Sequence, residues 1–250
     1  MLALLLFALQ VPADPAQAVL QLQQAIRNEP ALESNYTDLG NLLLKTQNFR
    51  EAAIVLETAR SRFPDSAQVR LSLGVAYYGQ RRFPEAVGAF LDAASRNRQA
   101  EQPVAFLGRI LEHSGERSGE VIAVFEVFAK THPQNFLGHF LYGKAAGNAQ
   151  SLRRAIALQP NYWESHFELG VLLERAQEFA AATASFERAA QLAPNNPTPQ
   201  YRLFRLYTKL GHAPKAAAAK NRYEVLATEE KKHLDQRQAA TKHLDLKVSQ

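Results

Sequence analysis

A leucine–glycine pair recurs every 34 residues through the first half of the chain, and this interval constrains the fold more than any other feature. The glycines are Gly40, Gly74 and Gly108, and the same pair returns at Gly170. Each glycine lies in a helical pattern, where glycine costs roughly 0.5–1 kcal/mol relative to alanine. An interval of this length predicts a chain built from stacked copies of one small structural unit.

Other positions of the unit follow the same interval. With Glu33 as position 1, glycine is at position 8, alanine is at positions 20 and 27, and large apolar residues are at positions 17 and 24. The residues at positions 20 and 24 are Ala52, Ala86 and Ala182, and Leu56, Phe90 and Phe186. Small residues allow two antiparallel helices to approach closely, and large ones fill the space beside them. Burial and dispersion then offset the cost of the glycine.

This pattern resembles the tetratricopeptide repeat, a helix–turn–helix unit of 34 residues. The resemblance implies an all-α solenoid of antiparallel helix pairs, wound as a right-handed superhelix, over residues 14–219. The predicted units are a half repeat at 14–30, repeats near 33–66, 67–100, 101–134, 163–196 and 197–219, and a degenerate repeat at 135–161. Residues 220–250 are expected to form a long, basic C-terminal helix or tail.

The charge of the chain is concentrated near its C-terminus. The sequence has 29 basic and 24 acidic residues, of which ten and five lie from Arg205 onward, so the remainder is balanced. A nucleic-acid-binding protein usually carries a broader basic surface, so nucleic acid is an unfavoured partner. There is no cysteine, which excludes disulfides, thiol nucleophiles and cysteine-ligated metals.

Residues 1–13 contain an apolar run that is too short to span a bilayer as a helix. The run resembles the core of a secretory signal, with a small-residue cleavage site ending at Ala13. Asp14 suits a helix N-cap and Pro15 the first helical position, so a mature chain could begin there. This interpretation predicts a periplasmic or secreted protein. The alternatives are a misassigned start, or a repeat helix and a cytoplasmic protein.

No motif in the sequence indicates catalysis. There is no glycine-rich phosphate loop, nucleophile elbow or zinc-binding HExxH motif. His233 and His243 could share a helix face but lack a third metal ligand, and His113 with Ser114 is expected in a turn. We therefore predict no catalytic residue, no cofactor, no metal and no small-molecule substrate.

The resemblance also implies where a partner binds, because in this family the first helices of the units line a concave groove for a peptide or a partner helix. The family positions that line the groove correspond in this sequence to a set of residues that includes Asn41, Leu71, Val75, Tyr78, Arg109, Phe167, Val171, Tyr201 and Arg205. Aromatic and arginine side chains are common interface anchors. The groove is expected to hold a protein segment with apolar anchors and some negative charge. For each apolar residue the alternative is packing between units.

One subclass of the family holds a C-terminal carboxylate with a lysine, asparagine and arginine clamp, and only Asn41 fits that pattern here. The favoured function is a non-catalytic scaffold for protein–protein interaction. The alternatives are a regulatory subunit of an enzyme complex, and a protein that binds nucleic acid or another anionic surface through its basic tail.

Overall fold

The computed structural model describes residues 14–114 and 118–248, with side chains over 14–112 and 118–236. This part of the chain forms 13 α-helices and no strand, which confirms the all-α prediction. The helices divide into two compact units, one ending at Pro133 and the other beginning at Gln134.

The first unit contains a single helix followed by three helix pairs. Its helices are α1 (Pro15–Asn28), α2 (Glu33–Lys45), α3 (Phe49–Arg62), α4 (Ala67–Gly79), α5 (Phe83–Arg96), α6 (Glu101–Ser114) and α7 (Gly119–Thr131). We call the first helix of a pair its A helix and the second its B helix. Each helix packs on the next along the chain, and α2 also packs on α4, so the A helices are neighbours.

The second unit contains three further pairs. Its helices are α8 (Phe136–Ala146), α9 (Ala149–Leu158), α10 (Trp163–Arg175), α11 (Phe179–Leu192), α12 (Pro197–Lys209) and α13 (Ala213–Val248). The first pair is short, with helices of 11 and 10 residues where α10 and α11 have 13 and 14. Its two helices still meet closely, because a Cβ atom on Gly143 would lie 2.7 Å from Leu152 Cγ.

In α2, α4 and α10 the glycine at position 8 lets the A helix meet the large residue at position 24 of its own B helix. A Cβ atom on Gly74 would lie 2.5 Å from Phe90 Cε1, and one on Gly170 would lie 2.7 Å from Phe186 Cε1. Both phenylalanine side chains are completely buried. The predicted role of the glycines in helix packing is therefore confirmed, since no larger side chain fits without displacing a core ring.

The turn between A and B helices has a second recurring feature. Gln47, Arg81 and Gln177 adopt positive φ angles of 61°, 61° and 62° at position 15, and Gly211 has 74° at the same position. The following residue donates its N–H back into the A helix, as in the bond from Asn48 N to Leu43 O of 2.8 Å. This is a Schellman motif, which ends a helix with a left-handed residue. It reverses the chain within three residues.

The second helix of the last pair extends beyond residue 219, the predicted limit of the final repeat. Helix α13 spans 36 residues and continues through residues 219 and 220 without a break. After Pro214 no proline or glycine interrupts it, so nothing ends the helix at the expected limit of the final repeat. Ala216, Ala219 and Leu226 are buried, and they pack the first part of α13 on α12.

Replacing Gly74 by alanine tests the packing of the repeat. We expect Gly74→Ala to destabilise the protein by about 1–3 kcal/mol, because the new methyl group must displace the buried Phe90 ring. The matched control is Gly88→Ala in α5, where a Cβ atom would meet nothing within 4 Å. This control should stabilise the helix by about 0.5–1 kcal/mol through helix propensity. Urea unfolding measures both, and equal effects of the two variants would contradict the packing role.

Candidate protein-binding surface

The first unit brings five of the predicted groove residues together on its A helices. Asn41 lies on α2, Leu71, Val75 and Tyr78 lie on α4, and Arg109 lies on α6. The three residues of α4 recur at helical spacing and are half-buried, whereas Asn41 and Arg109 are exposed.

Asn41 is tied to the neighbouring A helix. Its Oδ1 atom accepts a hydrogen bond of 2.9 Å from Ser72 Oγ of α4. The bond fixes the orientation of the Asn41 amide relative to α4.

Aromatic rings form the centre of this surface. The ring of Tyr78 meets Phe83 and Phe106 edge-on, with centroids 5.8 and 6.0 Å away. The guanidinium of Arg109 lies 5.6 Å from the Tyr78 ring and 5.9 Å from the Phe106 ring. Such cation–π contacts contribute about 0.5–1 kcal/mol at exposed sites. Phe106 was missed by the sequence analysis, although its spacing of three residues from Arg109 puts both on one helix face.

The four predicted groove residues of the second unit divide into two kinds. Phe167 is half-buried and packs near Phe186 and Trp163, with ring centroids 5.6 and 5.9 Å away, and Val171 is only 8% exposed. Phe167 thus contacts rings of its own repeat, and the side chain of Val171 is almost completely covered. Tyr201 is 39% exposed, and the guanidinium of Arg205 lies 5.9 Å from its ring. The accessible part of this surface is therefore on α12.

A buried charge network joins α4 to α5, the B helix of its own pair. Arg70 is 5% exposed, and its Nε donates to Asp92 Oδ2 at 2.6 Å. Its Nη1 also donates to the carbonyl groups of Phe63 and Ser66. Burial acts against ionisation of Asp92, but hydrogen bonds from Arg70 and Arg96 outweigh it and hold the pKa of Asp92 below its ordinary value.

A tyrosine–glutamate hydrogen bond joins neighbouring repeats in both units. Tyr77 of α4 donates to Glu57 Oε1 of α3 at 2.7 Å, and Tyr207 of α12 donates to Glu187 of α11. Burial and then the hydrogen bond to Glu57 raise the pKa of Tyr77 to about 12, and the pKa of Tyr207 is raised for the same reasons. Both pairs link position 25 of one repeat to position 11 of the next.

Clusters that could bind a metal are absent from the residues that the structure describes, since no three histidine or acidic side chains come together there. His113 and Ser114 are the last residues of helix α6, so the prediction of a turn there was wrong, and their side chains and that of His243 lie outside the described part. None of the helices in the described ranges is both long enough and apolar enough to cross a bilayer.

Stacked helix pairs with aromatic and arginine side chains on their A helices place the chain among the helical-repeat proteins, whose fold is typical of scaffolds for protein–protein interaction. The sequence matches the tetratricopeptide repeat over residues 37–101 and 143–197. The chain therefore contains tetratricopeptide repeats in both of its compact units. Proteins of this fold are generally non-catalytic. Among curated proteins none matches the sequence significantly.

Solved structures of similar fold are also tetratricopeptide repeat proteins. YrrB, described as having an unusual peptide-binding site, is 14% identical with a TM-score of 0.62, covering 72% of this chain and 96% of its own. The C-terminal part of a repeat-containing protein from Cytophaga hutchinsonii is 14% identical with a TM-score of 0.64, covering 88% and 93%. MamA is 17% identical with a TM-score of 0.57, covering 64% and 97%. At such identities the likeness concerns the fold alone.

The ion pair between Arg70 and Asp92 can be tested by the pH dependence of protein stability. We expect Asp92→Asn to destabilise the protein by about 1–2 kcal/mol at pH 7, because buried Arg70 loses its counter-ion while Asp92 is partly solvated. The pKa of Asp92 is lower in the folded state, so its contribution is present above the unfolded value of about 4 and is lost as the pH falls below it.

Unfolding of wild type and Asp92→Asn between pH 7 and pH 3 measures the effect, and their difference should shrink at the acid end. Glu85→Gln, which removes an exposed pair with Arg82, is the control and should change stability little. A difference between wild type and Asp92→Asn that does not vary with pH would contradict the network.

Proposed function

We propose that the chain is a non-catalytic scaffold that binds a segment of a partner protein on the A-helix face of its first unit. The observation that carries the proposal is the group formed by Tyr78, Phe106 and Arg109, in which an exposed guanidinium lies against two ring systems. Aromatic and arginine side chains provide most of the binding energy in many interfaces.

The polar side of this surface suits an extended or helical segment. The Oδ1 atom of Asn41 is used by Ser72, and its amide nitrogen has no hydrogen-bond partner among the described residues. That nitrogen can donate to a carbonyl group of a bound segment, while Leu71 and Val75 contact an apolar anchor. The peptide-binding site ascribed to YrrB gives a precedent for this use of the fold.

Export is part of the proposal, with cleavage after Ala13 and a periplasmic or secreted mature protein. Asp14 Oδ1 accepts hydrogen bonds from the N–H groups of Ala16 and Gln17 at 2.9 and 3.2 Å. A chain beginning at Asp14 would thus retain a complete N-cap for α1. N-terminal sequencing of the mature protein tests the proposal, and an N-terminus at Met1 would instead favour the cytoplasmic alternative.

A charge reversal at Arg109 tests the binding surface. We expect Arg109→Glu to reduce crosslinked capture of a native partner by about tenfold, because it removes the cation at the centre of the aromatic group. Arg98→Glu is the matched control, since it makes the same charge change at an exposed site after α5. Quantitative mass spectrometry of captured proteins measures the effect, with circular dichroism to check folding. If both variants capture the same partners as wild type, this surface is not the binding site.

A further inference from the structure

A second surface, on the last A helix, combines aromatic rings with positive charge. Tyr201, Arg205 and Lys209 are spaced by four residues on α12, so they share one face of the helix. The ring of Tyr223 from α13 lies against Tyr201, with centroids 5.2 Å apart. We call these four residues the terminal platform.

The cations of the terminal platform are not neutralised within the described part of the chain. The guanidinium of Arg205 lies over the Tyr201 ring, and Lys209 Nζ is 4.1 Å from the Phe179 ring centroid. Neither has a carboxylate within 4 Å among the described residues.

Nearby cations show the contrast. Arg202, also on α12, binds Glu174 at 3.3 Å, and Lys215 of α13 lies 3.7 Å from Glu187. Glu224, beside Tyr223, is 3.8 Å from Lys220. These three carboxylates are thus directed to other cations, and Arg205 and Lys209 remain as two positive charges on an aromatic surface available to a partner.

We propose that the terminal platform binds an acidic segment of a partner protein that carries an aromatic or aliphatic anchor. Arg205 can hold a carboxylate with two parallel hydrogen bonds, and Lys209 one turn away can attract a second acidic side chain. The faces of Tyr201 and Tyr223 then contact the anchor. This inference rests on the proposed function and gives the chemistry of a partner that the second unit recognises.

The terminal helix is part of this site as well as a cap on the last repeat. Tyr223 lies between Ala219 and Leu226, which are 6% and 2% exposed and pack α13 on α12. Packing of α13 therefore fixes Tyr223 beside Tyr201. Tyr223, in the segment predicted as a basic C-terminal helix or tail, thus supplies one of the two rings of the platform.

A protein segment fits the platform better than nucleic acid does. Over residues 220–236 of α13, four basic residues are matched by four acidic ones, so this part of the helix adds no net charge. A long polyanion requires a continuous basic track that contacts many phosphates. The two platform cations that lack a carboxylate partner among the described residues, Arg205 and Lys209, lie on one face of α12, which matches a short acidic stretch.

Synthetic peptides test the platform in the full-length protein. The first probe is a fluorescent peptide of about 12 residues with glutamates around one phenylalanine. The others are the same peptide with alanine at that position, a lysine version that keeps the phenylalanine, and a single-stranded DNA oligonucleotide. We expect fluorescence anisotropy to show the tightest binding for the first probe, weaker binding without the anchor, and none for the lysine version or the DNA.

The double variant Arg205→Glu/Lys209→Glu should weaken binding of the first probe by at least about tenfold. Lys231→Glu/Lys232→Glu is the matched control, because it makes the same change of net charge on the exposed part of α13. Tyr223→Ala should also weaken binding, whereas Val225→Ala, at a 50% exposed position on the same helix, should not.

Several outcomes would overturn the inference: equal weakening by the two double variants, equal binding of the DNA, or no binding of the acidic peptide. If the peptide does not bind but Arg109→Glu still abolishes partner capture, only the terminal platform is refuted. If Arg109→Glu has no effect while the peptide binds at Arg205, the second unit carries recognition without the surface of the first.

Discussion

The contact between a glycine of the A helix and a large side chain of its B helix, found in α2, α4, α8 and α10, determines most of what the structure can do. With Gly74 against Phe90, the two helix axes come close enough for the ring to be fully enclosed. That proximity positions α4, so Tyr77 reaches Glu57 of the preceding repeat and Tyr78 meets Phe106 of the next. The exposed surface is thus a consequence of the internal packing.

The sequence predicted this packing well, because it depends on side-chain size at fixed positions. It did not predict the turn, since position 15 is Gln47, Arg81, Gln177 or Gly211 and the turn is held by main-chain hydrogen bonds. The left-handed residue of such a turn is usually glycine, so Gln47, Arg81 and Gln177 gave no signal of it. The buried Arg70 was also missed, because its counter-ion Asp92 lies 22 residues away in another helix.

Residues of the candidate surfaces were only partly predictable. The family positions include both Tyr78 and Arg109, whose ring and guanidinium lie 5.6 Å apart in the structure, but they do not tell which side chains a neighbouring helix covers. Val171 is covered in this way. Conversely, Tyr223 lies in a helix that continues past the expected end of the repeats, so its contact with Tyr201 follows from packing that no repeat position encodes.

The turns have a practical consequence, because their left-handed residue is held by the backbone and its side chain is exposed. Gln47 and Arg81 are both exposed and lie in the same unit, one repeat apart. The chain has no native cysteine, so a thiol-reactive dye would attach only at cysteines introduced at these two sites. Energy transfer between two such dyes would report whether adjacent repeats spread or close when a ligand arrives.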